Sequence, residues 1–198
     1  DLDATGTDDS WRSMTWYANA DYNYRNRYFA QLSLALETCS RFGKEADGGV
    51  KIGGVKWAIF PSVQLGWVLT NENWFPKTNA INYLLLKAGY DVSGNDDINN
   101  YAARTSFSVS KYLYRSTAAI LDNIGNEGIS WEQTRKMNFG LKAYLFNNRV
   151  GVDFDYYLNH TSNLLTLKTF DNLVAGIDNY WSNGGSLSNK GFELTLTT

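Results

Sequence analysis

Few side chains in this 198-residue chain could do covalent or metal chemistry. His160 is the sole histidine, so a Ser/His/Asp triad would have to centre on it, and no multi-histidine metal site can form within the chain. It stands in Asn159-His160-Thr161, where the pattern predicts a strand bulge and a polar rim side chain. The same tripeptide fits a glycosylation acceptor, a motif frequent by chance. Cys39 is the sole cysteine and excludes an internal disulfide. It reads as a small neutral filler, because a reactive thiol needs a cationic neighbour. Asn95-Asp96-Asp97 with Asn99 offers hard oxygens for calcium but lacks the spacing of a dedicated loop, so it reads as solvated loop. The glycines of 48–54 lack the Lys-Ser/Thr ending and following helix of a phosphate loop. No catalytic constellation forms, and the reading is neither an enzyme nor a cofactor protein.

Binding chemistry is better represented. Tyr101, Tyr112, Tyr114, Tyr180 and Trp181 fall in long polar stretches. Rings with polar tips suit stacking on sugars or gripping peptide, and loop packing explains them equally well. A second group comprises Glu37, Lys87, Asp91, Lys142, Asp153, Asp155 and Glu193, spaced to share the polar side of strands. In a dry core these charges would be expensive; lining a water-filled lumen they cost little.

The elements that position these residues are long strands. Met137, Phe139, Leu141, Ala143 and Leu145 alternate with polar or small neighbours, as do Val150, Val152, Phe154, Tyr156 and Leu158. The turn Phe146-Asn147-Asn148-Arg149 joins them into an antiparallel hairpin. A second hairpin pairs Thr15–Tyr24 with Tyr28–Cys39 across Arg25-Asn26-Arg27. Further strands cover 57–67, 84–92 and 192–197, about seven in all. Pro61 removes a ladder donor and predicts a bulge or edge-like position. Residues 1–14, 42–54, 93–130 and 168–185 read as loops, with short pieces of structure at Phe107–Ser110 and Ala118–Leu121. Leu164–Leu167 is expected to extend the second strand of the first hairpin past a bulge near Thr161 and Ser162.

Ordinary strands run roughly 5–6 residues, whereas a strand crossing a bilayer needs about 9–11. The strands of both hairpins are of the second kind. Connections alternate: those at 25–27, 70–80 and 146–149 are shorter, and those at 42–54, 93–130 and 168–185 longer. That asymmetry predicts part of a transmembrane β-barrel, all-β and antiparallel, with short turns at the periplasmic rim and long loops outside. Trp16, Tyr22, Tyr24 and Tyr28 would be girdle residues near the interfaces. The alternative is a soluble carbohydrate-binding β-sandwich, whose apolar faces would pack on each other. A net charge of −2 argues against nucleic acid. The start has no signal-peptide pattern and the end follows a strand, so a segment of a larger barrel is expected.

At several places the chain resembles the SusC/RagA family of TonB-dependent outer-membrane receptors, in the C-terminal half of their barrel. The matching pieces are Ser40-Arg41-Phe42; Phe60-Pro61-Ser62 with Gly66-Trp67, Glu72 and Phe75; Lys87-Ala88-Gly89-Tyr90 with Gly94-Asn95; Ile124-Gly125-Asn126 with Trp131-Glu132; Phe146-Asn147-Asn148-Arg149; Asp155-Tyr156-Tyr157 with Thr161 and Leu164-Leu165; and Asn183-Gly184-Gly185 with Asn189-Lys190-Gly191-Phe192-Glu193-Leu194. Glu37-Thr38-Cys39 departs from the family's Asp-Gly-Ser-like stretch. The resemblance implies a many-stranded barrel in the bacterial outer membrane, an upstream plug domain and TonB-energised import of oligosaccharide or peptide. It also implies a SusD-like surface lipoprotein as a lid. Its motifs look structural and supply no catalytic residue.

Overall fold

The computed structural model describes residues 9–112, 116–174 and 177–198. Seven long strands form an antiparallel meander: β1 (Ser13–Tyr24), β2 (Tyr28–Cys39), β4 (Val55–Val68), β5 (Ile81–Asn95), β8 (Glu132–Leu145), β9 (Val150–Ser162) and β12 (Ser186–Thr197), paired in that order. The sheet is open, with β1 and β12 at its edges. Among the described residues no second sheet covers its apolar face, so the sandwich alternative is set aside.

Alternation fixes the register. A one-residue slip would turn every apolar side chain to the other face. Leu34 pairs with Pro61, Leu65 with Ala88, Ala88 with Phe139, Phe139 with Tyr156 and Tyr156 with Phe192. One apolar face therefore runs unbroken across all seven strands. It is open: Phe139 is 53% exposed, Leu194 56% and Phe192 73%. The other face carries Gln31, Gln64, Lys87, Asp91, Lys142, Asp153, Asp155 and Glu193. There Lys87 reaches Asp153 (2.8 Å) and Asp155 (3.0 Å), and Lys136 reaches Asp91 (3.7 Å). Such half-exposed pairs contribute about 0–1 kcal/mol each, so the wall tolerates its charges more than it depends on them.

Pro61 sits as expected at an edge-like position without a bulge. The ladder to β2 passes through it in register, whereas the ladder to β5 ends one residue earlier, at Ser62 opposite Asp91.

The short turns are local solutions. Arg25 and Asn26 both take positive φ (54° and 52°), and Arg27 N–H closes the turn on Tyr24 O at 3.0 Å. This is the primed geometry whose twist matches the strands. Phe146, Asn147 and Asn148 do likewise at the β8–β9 turn. At the same rim, Tyr22, Tyr24, Tyr28 and Trp67 stack in succession at 6.2–6.4 Å between ring centroids. Tyr28 Oη and Trp67 Nε1 donate to Glu72 at 2.5 and 3.0 Å, and Arg27 lies 3.3 Å from it. Trp16 lies toward the opposite end of β1.

The long connections depart from the sequence expectation of loops. Within 42–54, β3 (Val50–Ile52) folds onto β4, and Phe42 and Ala46 are buried. Residues 93–130 hold a hairpin of β6 (Ser106–Tyr112) and β7 (Ser116–Asn123), on the two short pieces anticipated. Residues 168–185 are not a plain loop: β10 (Leu165–Val174) and β11 (Ile177–Asn183) pair there. Leu165–Leu167 do not prolong β9. Asn163 takes φ 56° and turns the chain into this separate two-stranded sheet. Two of the long connections thus carry hairpins separate from the main sheet, and the first adds a short strand to it.

Candidate functional site

A small apolar core holds the long-loop end together. Cys39, Phe42, Ala46, Ala58, Ile98, Ala102, Ala103, Ile129 and Trp131 are buried in it, with Phe60, Leu165 and Trp181 packed alongside. Ala58 and Phe60 project from the polar side of β4, so the loops fold over that face. Ile129 is wholly buried, and Phe42 lies 4.0 Å from Trp131 between ring centroids. Cys39 is the filler the sequence suggested, buried in this core.

Polar side chains then lock the loops across long sequence distances. Arg41 donates to Asn100 Oδ1 and Asp96 O, both at 3.1 Å, and lies over the Trp11 ring at 4.4 Å. Asp96 is therefore engaged by a guanidinium, and Asn95 Oδ1 accepts from Asp97 N–H. Among the described residues no group of three His, Cys, Asp or Glu could hold a metal ion. Asn183 accepts from Ser130 N–H (2.8 Å) and donates to Ser130 O (2.8 Å) and Asn163 O (3.0 Å). Asn126 donates to Trp181 O at 3.1 Å. Glu132 accepts from Leu165 N–H at 3.1 Å. A Cβ on Gly43 would fall 2.0 Å from Glu127 O, so only glycine permits that approach.

These locks hold open a cavity of about 850 Å³ between the 96–105 segment, the β6–β7 hairpin and the β10–β11 hairpin. Tyr101, Tyr180 and Trp181 line it together, from places 79 or more residues apart for the first and the other two. Tyr101 Oη accepts from Ser10 N–H at 3.3 Å. Trp181 is half-buried against the core, and its buried Nε1 finds no acceptor among the described residues. Around the rings stand Asn99, Asn100, Asn123 and Asn179, with Asp9, Asp122, Ser106 and Ser108. This is a polar pocket with aromatic walls, able to pair hydroxyls or amides with side-chain amides and stack a ring or peptide plane.

The five aromatic residues singled out by sequence thus divide. Three meet at the cavity. Tyr112 ends β6 opposite Ser116, and Tyr114 lies outside the described residues. The amide and hydroxyl lining was missed. Ser106 and Ser108 alternating with Phe107 and Val109 was its available signal, since the serines face the cavity while Phe107 and Val109 are 63% and 74% exposed. His160 does not sit at a bulge. It keeps regular register between Arg135 and Ser188, and its Nδ1 lies 2.9 Å from Ser188 Oγ.

An open, singly apolar, looped meander of this kind is barrel wall. The family described as TonB dependent receptor-like, beta-barrel, matches residues 1–198, and the chain belongs to it. TonB-dependent receptor P39 of Formosa agariphila is 30% identical over 197 residues, covering 98% of this chain and 18% of that protein. TonB-dependent receptor SusC of Bacteroides thetaiotaomicron is 27% identical, over 92% of this chain and 18% of its own length. The chain therefore spans about a fifth of the curated relatives it matches. Among solved structures, the RagAB peptide importer in an open-open state superposes with a TM-score of 0.80 at 26% identity, over 94% of this chain and 19% of that one. The siderophore receptor PirA of Pseudomonas aeruginosa shares the fold at a TM-score of 0.57 and 14% identity. The family is one of outer-membrane receptors.

Proposed function

We propose that this chain is wall and extracellular loops of a TonB-dependent importer of oligosaccharides or peptides, and that its loop cavity meets the substrate. One observation carries the reading: three distant aromatic rings converge in a polar cavity at the long-loop rim, over the charged face that would line the lumen. A plug domain, the remaining strands and the TonB contact belong to other parts of such a receptor. A SusD-like lipoprotein would cover the loops. The apolar outer side of the β6–β7 hairpin, with Phe107 and Val109, is a suitable surface for that lid.

The test is uptake by the full-length receptor in cells, using labelled neutral oligosaccharides and a labelled peptide library. Tyr101→Ala with Tyr180→Ala is expected to lower uptake of the transported class by about tenfold or more, in line with the loss of anchor rings at a binding surface. Receptor abundance in the outer membrane should be unchanged. Unaltered uptake by the correctly inserted double variant would remove the cavity from the substrate path.

A further inference from the structure

Following register along the seven long strands sorts every side chain onto one face or the other. Among the described residues of those strands, the apolar face bears no Asp or Glu. It bears three basic side chains: Arg135 on β8, His160 on β9 and Lys190 on β12. They stand on three adjacent strands. Arg135 pairs with His160 and His160 with Ser188, while Lys190 is one row away, opposite Leu158. All three are exposed, and they share a concavity of about 370 Å³ floored by Met137 and Leu158. Among the described residues neither Arg135 nor Lys190 has a carboxylate within salt-bridge reach, in contrast to Lys87, Lys136 and Lys142 on the opposite face.

Two physical facts narrow the occupant. On the lipid side of a barrel, basic residues are penalised heavily at the midplane and little near an interface. Ten steps separate Arg135 from Leu145. At about 3.4 Å each they run about 34 Å along the strand, or about 25 Å across a bilayer at the usual tilt, the height of a barrel's apolar band. The trio therefore stands at the upper margin of that band, on the long-loop side. Secondly, like charges gathered without a counterion repel, so the cluster asks for an anion. Below it, Met137, Phe139, Tyr156, Leu158 and Phe192 continue as an apolar surface for hydrocarbon chains.

We infer that Arg135, His160 and Lys190 form a binding site for the phosphorylated headgroup of an outer-leaflet glycolipid whose acyl chains lie on the apolar face beneath. Arg135 supplies a planar donor fork and Lys190 a mobile ammonium, both suited to phosphate oxygens. The Ser188 hydroxyl steadies the imidazole. The inference rests on the barrel reading, and the test separates the two.

Full-length receptor would be purified in detergent, checked for the heat-dependent gel mobility of a folded barrel, and weighed by native mass spectrometry. The probes are phosphorylated lipid A, lipid A stripped of phosphate, and inorganic phosphate. Native receptor is expected to retain phosphorylated lipid A about tenfold better than the triple variant Arg135→Gln, His160→Gln, Lys190→Gln. Lys136→Gln, on the opposite face, should bind as the native protein does. If the triple variant does not fold, Lys190→Gln alone is the reporter, with a severalfold loss expected. Equal retention of phosphorylated and stripped lipid A, or equal retention by folded variant and native receptor, overturns the site. Displacement by inorganic phosphate alone assigns a free-anion site and overturns the lipid. Native receptor without heat-dependent mobility would instead defeat the barrel reading.

Discussion

The two rims of this sheet are built by different means. At the short-turn rim the chain reverses locally, Arg25 and Asn26 bending it within two residues and Phe146–Asn148 within three, and the 70–80 connection and the start of β5 are tied to these turns through Glu72 and Asn82. At the long-loop rim, the fasteners are side chains that reach across 50 residues or more, as Asn183 does to Ser130 and Arg41 to Asp96. The first rim is sheet geometry brought to a close. The second is a small packed body with its own apolar core and its own cavity. Changes in the loops of the second rim can leave strand register at the first undisturbed.

The sharpest way to break the contrast is Asn183→Ala. It leaves the buried Ser130 N–H and Ser130 O without their partner, at about 1–3 kcal/mol for each, and frees the exposed Asn163 O to water. Protease added to intact cells should then cut the long-loop segments, while heat-dependent gel mobility still reports a folded barrel. Loss of the barrel itself would show that the rims are one cooperative unit. A smaller effect is expected from Asn148→Ala, because alanine at φ 63° is strained by about 1–2 kcal/mol. Urea unfolding of the receptor should shift by that amount, with protease resistance of the long loops unchanged. Asn148→Gly should be nearly neutral.

The smallest effect concerns Glu72. The Tyr28 hydroxyl and Trp67 indole, then Arg27, hold its carboxyl below the usual range. A lowered folded-state pKa means the charged form contributes stability above the ordinary carboxylate range, near 4.5. That contribution is lost as pH falls through the lower folded value. Glu72→Gln should therefore destabilise the receptor at pH 7, and the gap to the native protein should close as pH drops below about 4. A gap independent of pH would assign Glu72 a packing role alone.

How much of this was legible depended on the range of the interaction. Met137 to Leu145 and Val150 to Leu158 declared their faces by alternation, and the Asn-rich turn between them declared the hairpin. Lys168 to Gly185 did not declare β10 and β11, because that hairpin is stabilised by Asn126 and Ser130 reaching in from another loop. Tyr101, Tyr180 and Trp181 were visible as types, but nothing in their spacing placed them together. Arg135, His160 and Lys190 looked unrelated in the chain, and only pairing of β8, β9 and β12 made them neighbours.

The sequence by itself determined which face of each long strand is apolar and which turns are short. These follow from side-chain period and backbone sterics, which act over two to four residues. Tertiary structure alone decided the inward-folded loop core, the cavity and the basic trio. Those need contacts between residues far apart in the chain, whose meeting depends on strand order and register rather than on any local preference.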